Sequence, residues 1–157
     1  MVHRDRPATL HTDVVTPWLW RGVVLVSAAG VGVTGYLTYS HFSGGQLACF
    51  GGGGCEQVQA SRFALLYGVP VALLGLGFYL TSFFLGVIGL LRRPGLAHRA
   101  APVLFVLTLT AGLFSLYLTG LQMAVLHSFC SWCLTSAGLS AALLGLSVSL
   151  VWRWQDA

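Results

Sequence analysis

Four stretches of this chain, residues 18–39, 67–91, 100–126 and 130–152, are almost free of charge and each is at least 22 residues long. About 20 apolar residues cross the hydrocarbon core of a bilayer. A chain in lipid satisfies its backbone internally, as helices or a closed barrel. Runs of this length predict helices, so the expected fold is all-α, an integral membrane four-helix bundle. Only 8% of the residues are charged, against about 25% in soluble domains, which excludes a water-soluble globule. The first run is interrupted only by Arg21, close enough to its end to snorkel, with Trp18 and Trp20 as interface anchors. Its length and that early arginine argue against a cleaved leader. Pro17, Pro70 and Pro102 are each expected to precede or open a span, where a missing N–H matters least. Arg92-Arg93-Pro94-Gly95 is expected to break the chain between the second and third spans. Two small-residue sets, Ala28 with Gly32 and Ala141 with Gly145 and Ser149, are candidate helix-contact stripes.

The eight cations are all arginines, and most flank the apolar runs. They read as topology charges rather than a nucleic-acid patch. With four spans, Arg4, Arg6, Arg21, Arg92, Arg93, Arg99 and Arg153 fall on one side and Arg62 alone on the other. Positive charge stays inside, which predicts cytoplasmic tails at 1–17 (frayed) and 153–157. The loop 40–66 and the turn before residue 130 then lie outside. In a bacterium this is the inner membrane.

All four cysteines fall on that outer face, where disulfides persist. Cys130 and Cys133 form a C-x-x-C pair at the mouth of the last span, with Ser128 as the expected N-cap. Residues three apart share a helix face, and the free N–H groups of a first turn favour a thiolate. The expected arrangement has one sulfur toward water and the other toward lipid depth. Cys49 and Cys55 bracket Gly51-Gly52-Gly53-Gly54, which reads as a hinge. Residues 56–66 suggest a short surface helix acting as a lid. Two structural disulfides are the bland alternative. A zinc site is disfavoured because C-x5-C exceeds the usual ligand spacing, so no metal is expected.

Cys49 and Cys55, Ser61-Arg62, Gly68-Val69-Pro70, Gly75, Tyr79 and Cys130-Ser131-Trp132-Cys133, in that order across four spans, resemble the vitamin K epoxide reductase family. The set is most similar to its bacterial disulfide-forming members and covers residues 18–152. The resemblance implies a quinone-dependent thiol oxidoreductase that makes disulfides, the quinone being of ubiquinone, menaquinone or vitamin K type. It implies that Cys133 lies next to the quinone, with Cys130 its disulfide partner. Cys49 would exchange with Cys130, and Cys55 would be attacked by a thioredoxin-fold partner. No fused thioredoxin-like segment follows the fourth span, so that partner is expected to be a separate extracytoplasmic protein. Ser61 is expected to steady the cysteine loop, and His127 to stabilise a thiolate or take a proton. Arg62 reads as solvated, and Gln122 and Thr119 as helix-contact polar groups. Position 71 is Val and residues 134–137 hold no tyrosine, where vitamin K-reducing animal members carry an asparagine and a tyrosine. Vitamin K epoxide reduction therefore stands second to a generic quinone oxidant, and a non-catalytic, disulfide-stapled bundle stands third.

Overall fold

The computed structural model describes residues 8–44, 48, 49, 54–91 and 94–155. Its elements are α1 (Ala8–Ser43), α2 (Gly54–Ala60), a 3-10 turn (Arg62–Ala64), β1 (Leu65–Leu66), β2 (Val69–Pro70), α3 (Val71–Leu90), α4 (Pro94–Leu121), a π turn (Gln122–Leu126) and α5 (Ser131–Gln155). Among the described residues, four helices are long and apolar enough to cross a membrane. They close a ring in which α1 packs on α3, α3 on α4, α4 on α5 and α5 on α1. The expected membrane four-helix bundle is what the chain forms.

Several boundaries differ from the sequence reading. α1 starts at Ala8, so residues 8–17 are helical rather than frayed, and Pro17 lies inside the helix. Pro94 opens α4 and places Pro102 in its interior. Pro94 is at the first helical position, where its missing N–H would have had no partner. Arg92 and Arg93 lie outside the described residues. The second span is shorter than expected because residues 65–70 form a small antiparallel hairpin, with Leu66 paired to Val69 and Leu65 to Pro70. Tyr67 and Gly68 both have positive φ, 51° and 83°, the backbone of a tight two-residue hairpin turn that glycine accepts without strain. The predicted helix over 56–66 therefore stops at Ala60, and Phe63, Leu65 and Leu66 belong to the turn and hairpin.

The buried faces are set by large side chains meeting glycines. On α1 the inward stripe is Trp20, Val23, Ser27, Gly30, Thr34 and Leu37, a 3-4 spacing that follows one helix face. α3 answers with Tyr79, Ser82, Gly86 and Gly89. A Cβ at Gly30 would lie 2.2 Å from the Tyr79 ring, and one at Gly89 2.2 Å from the Trp20 indole. Trp20 is consequently a core residue, 1% exposed, whereas Trp18 remains outside at 70%. Both expected small-residue stripes miss the contacts. Ala28 and Gly32 are exposed, as are Ala141, Gly145 and Ser149, and a Cβ at Gly32 or Gly145 would meet nothing within 4 Å. On α5 the inward set is Ser140, Leu143, Ser147 and Leu150. Ser147 joins Thr108 of α4 through a buried 2.9 Å hydroxyl pair, the kind of polar link that holds helices together in lipid.

Gly30→Ala should therefore drive a methyl into the Tyr79 ring, at a cost of about 1–3 kcal/mol. Gly32→Ala, in open space, should leave stability unchanged or slightly raised. Thermal unfolding in detergent measures both, and equal behaviour of the two variants would contradict the packing described.

Candidate redox site

The site lies at the end of the bundle where nearly all the non-helical backbone collects. α5 begins at Ser131, so Cys130 rather than Ser128 occupies the N-cap. The first helical bond runs from the Leu134 N–H to the Cys130 carbonyl at 3.0 Å. The Cys133 N–H donates to Cys130 Sγ at 3.3 Å, so a sulfur takes the place of the usual capping oxygen. Cys133 Sγ also donates to Cys130 Sγ, at 2.7 Å. Both cysteines are free thiols. The Cys133 side-chain hydrogen bond is the largest influence on Cys130; burial opposes it, and the backbone N–H groups of Cys133 and Trp132 assist it. Together they hold the Cys130 thiol down at about 7, below the ordinary thiol value of about 8.5.

Cys130 does not face water. It is fully buried in a cluster with Cys55 and Val58, against which Cys49, Leu126, Trp132 and Cys133 pack. Cys49 and Cys55 are joined as a disulfide. The amino end of α2 brings Cys55 in: a Cβ at Gly54 would lie 2.7 Å from the Phe129 carbonyl oxygen. Only glycine allows that approach, so this member of the glycine run works through its size. Gly51, Gly52 and Gly53, the rest of the expected hinge, lie outside the described residues.

Three further bonds clamp the loop over the C-x-x-C turn. Ser128 Oγ donates to Gln57 Oε1 at 2.8 Å, and Trp132 Nε1 donates to the Ala48 carbonyl at 2.8 Å. The Ala48 N–H donates to the Tyr36 hydroxyl at 3.3 Å, and the Tyr36 and Trp132 rings meet at 5.1 Å. Cys49 is thus held by its neighbour Ala48, between a span residue and the tryptophan inside the C-x-x-C motif. Ser61 donates to the Val58 carbonyl at 2.6 Å and closes the carboxyl end of α2. Arg62 is exposed, its guanidinium 5.7 Å from the Phe63 ring centre and engaged with that ring rather than with a sulfur. His127 is exposed, in the left-handed conformation at φ 48°, and its ring has no hydrogen-bond partner among the described residues.

The two loop cysteines differ in exposure. Cys55 is 0% exposed and lies beside Cys130, whereas Cys49 is half-buried. Sequence spacing does not reveal this, because it depends on which side of α2 rests on Phe129.

Below the sulfurs is a cavity of about 410 Å³ among α1, α3, α4 and α5, lined by Cys133, Tyr79, Phe78, Phe114, Ser136 and Gln122, with leucines around them. Its volume and mainly apolar wall are those of a small-molecule site. An apolar ring with carbonyl oxygens, the chemistry of a quinone, fits such a wall with a thiol at its mouth. Val71 lines it and offers no polar side chain there. The Tyr79 hydroxyl donates to the Ser136 carbonyl at 2.6 Å and lies 3.2 Å from Ser136 Oγ, tying α3 to the face of α5 that carries Cys133. Tyr36 and Gln57 escaped the sequence reading, and Ser128 and Trp132, read there only as an N-cap and a motif residue, gave no sign of the loop contacts they make. Among the described residues no group of three His, Cys, Asp or Glu side chains is placed to hold a metal ion.

Two comparisons bear on this geometry. The profile of the Vitamin K epoxide reductase family matches residues 22–148. The chain is also similar to the Thiol-disulfide oxidoreductase LTO1 of Arabidopsis thaliana, 32% identical over 120 residues, which is 73% of this chain and 32% of that protein. The chain thus spans about a third of that relative's length.

With the loop disulfide intact, ultraviolet thiolate absorbance from Cys130 should rise at a pH below the ordinary thiol range. Below the midpoint the thiolate fraction falls about tenfold per pH unit. Cys133→Ala removes the main stabilising donor and should move the midpoint up by about one unit. An unmoved midpoint would mean that the backbone alone holds the thiolate.

Proposed function

Because the chain belongs to the vitamin K epoxide reductase family, we propose that it is a membrane thiol oxidoreductase that generates disulfides and delivers the electrons to a quinone. The observation that carries this reading is the line of four sulfurs: a half-exposed Cys49, bonded to Cys55, packed on Cys130, which is 2.7 Å from the cavity-lining Cys133.

The relay balances in three exchanges. Two thiols of a donor protein reduce the Cys49–Cys55 disulfide, and the donor leaves with a disulfide. The two loop thiols then reduce a Cys130–Cys133 disulfide and re-form their own bond. Finally the Cys130 and Cys133 thiols lose two electrons and two protons as they bond to each other. A bound quinone supplies the sink for those electrons and protons. The half-exposed position of Cys49 favours entry there, and the contact of Cys55 with Cys130 favours onward transfer from Cys55. Exchange requires a thiolate and an accessible sulfur, and the Cys133 hydrogen bond holds the Cys130 thiol below the ordinary range. The donor is a thioredoxin-fold protein on the extracytoplasmic side. The excess of arginine in the segments that flank the other ends of the apolar runs supports cytoplasmic termini, and a bacterial inner membrane fits that arrangement.

Purified protein in detergent should reduce quinone when supplied with a reduced thioredoxin-fold donor, and Cys133→Ala should abolish the reaction. Cys55→Ser should block turnover with the protein donor while sparing reduction driven by a small dithiol. A donor left with one thiol should be trapped as a mixed disulfide on Cys49. Trapping on Cys55 would restore the opposite order, and absence of quinone reduction with either kind of donor would sink the oxidase reading.

A further inference from the structure

The cavity wall contains one polar group whose hydrogen-bonding capacity is half used. Four buried polar side chains line the cavity: Thr34, Tyr79, Gln122 and Ser140. Three of them donate to backbone carbonyls, Thr34 to Gly30 at 2.7 Å, Tyr79 to Ser136 at 2.6 Å and Ser140 to Ala137 at 2.8 Å. Gln122 is different. It is 5% exposed, and its Oε1 accepts the backbone N–H of Cys130 at 3.2 Å. That bond fixes the amide, because an N–H has to meet the oxygen and not the nitrogen. The Nε2 group, with two donors, has no acceptor among the described residues. Nor is Gln122 free to turn away, since its carbonyl accepts the His127 N–H and the Ser128 N–H that close the π turn.

We propose that Gln122 is the headgroup-recognition residue of this cavity: its Nε2 donates to a quinone carbonyl oxygen while its Oε1 stays bonded to Cys130. The reading rests on the quinone oxidase proposed above and extends it to a particular donor. Buried amides are normally satisfied, and a carbonyl on an apolar ring is the acceptor that a mainly apolar cavity would admit. The placement also suits the chemistry. Electrons leaving Cys133 would place negative charge on that oxygen, and a preorganised donor there would stabilise the later state more than the earlier. Through one amide group the oxygen being reduced would be linked to the backbone of Cys130, whose Sγ is 2.7 Å from that of Cys133. The proposal replaces the expected helix-contact role of Gln122; Thr119, the other residue given that role, also lines the cavity and spends its hydroxyl within α4, on the Ser115 carbonyl at 2.9 Å.

The test uses the whole protein in detergent with a short-chain benzoquinone and a naphthoquinone, each 13C-labelled at the ring carbonyls. Infrared difference spectra of the bound quinone should contain a carbonyl band at lower frequency than in an apolar solvent. Gln122→Met, unbranched and close in volume but without a donor, should return that band to the solvent frequency. It should also weaken quinone binding roughly five- to tenfold, the value of one neutral hydrogen bond. A shift that persists in the variant, or a wild-type band that is unshifted, overturns the role of Gln122 while leaving the oxidase intact. Failure of the wild-type protein to bind either quinone overturns the oxidase reading itself. A merely structural glutamine would lower affinity in the variant without returning the band to the solvent frequency, and Gln122→Leu repeats the comparison if Gln122→Met does not fold.

Discussion

A backbone N–H or C=O in hydrocarbon has to be bonded within the chain, and the architecture of this protein follows from that constraint. The four spans are helices without exception. Much of the backbone that is not helical, from the α2 region through the hairpin to the π turn and the residues before α5, is gathered at one end of the bundle. There the freed polar groups find uses. A helix start that would otherwise leave N–H groups unmatched directs one onto the sulfur of Cys130, and the side chain of Gln122 takes another. The features that make this end irregular are those that make it reactive.

Close approach does the remaining work. α1 and α3 meet through Gly30 and Gly89, which admit Tyr79 and Trp20 into the core. α2 meets the C-x-x-C turn through Gly54, which lets Cys55 lie against Cys130. In each case a side chain is omitted on one element so that a larger group on the other can fit, as close-packed interiors require. The clamp formed by Trp132, Ala48 and Tyr36 then holds Cys49 at the rim. A few side-chain bonds rather than a large apolar contact thus hold this loop over the C-x-x-C turn.

The bundle itself, the four spans, the pairing of cysteines by chain position and the family were legible in the residues. Each depends on local or summed properties: run length, charge and the order of motifs. Which face of a helix is buried was not legible, and the Ala28–Gly32 and Ala141–Gly145–Ser149 stripes were both assigned to contacts they do not make. In lipid the apolar periodicity that marks a buried face is erased, because lipid-facing positions are as apolar as the core. Helix ends were misplaced for a related reason. Pro17 and Pro102 looked like first-turn residues, yet α1 and α4 continue beyond the apolar runs, where hydrophobicity no longer reports on conformation.

Chain order alone therefore determined that this protein is a four-span membrane bundle with two cysteine pairs at one end. Tertiary structure decided which loop sulfur is covered, which tryptophan is core and which glutamine faces the cavity with its donors unspent. Those outcomes turn on contacts between residues far apart in sequence, Gly54 with Phe129, Trp20 with Gly89 and Gln122 with Cys130 across the π turn. No residue carries such a contact by itself, because distance and direction exist only once the helices have packed.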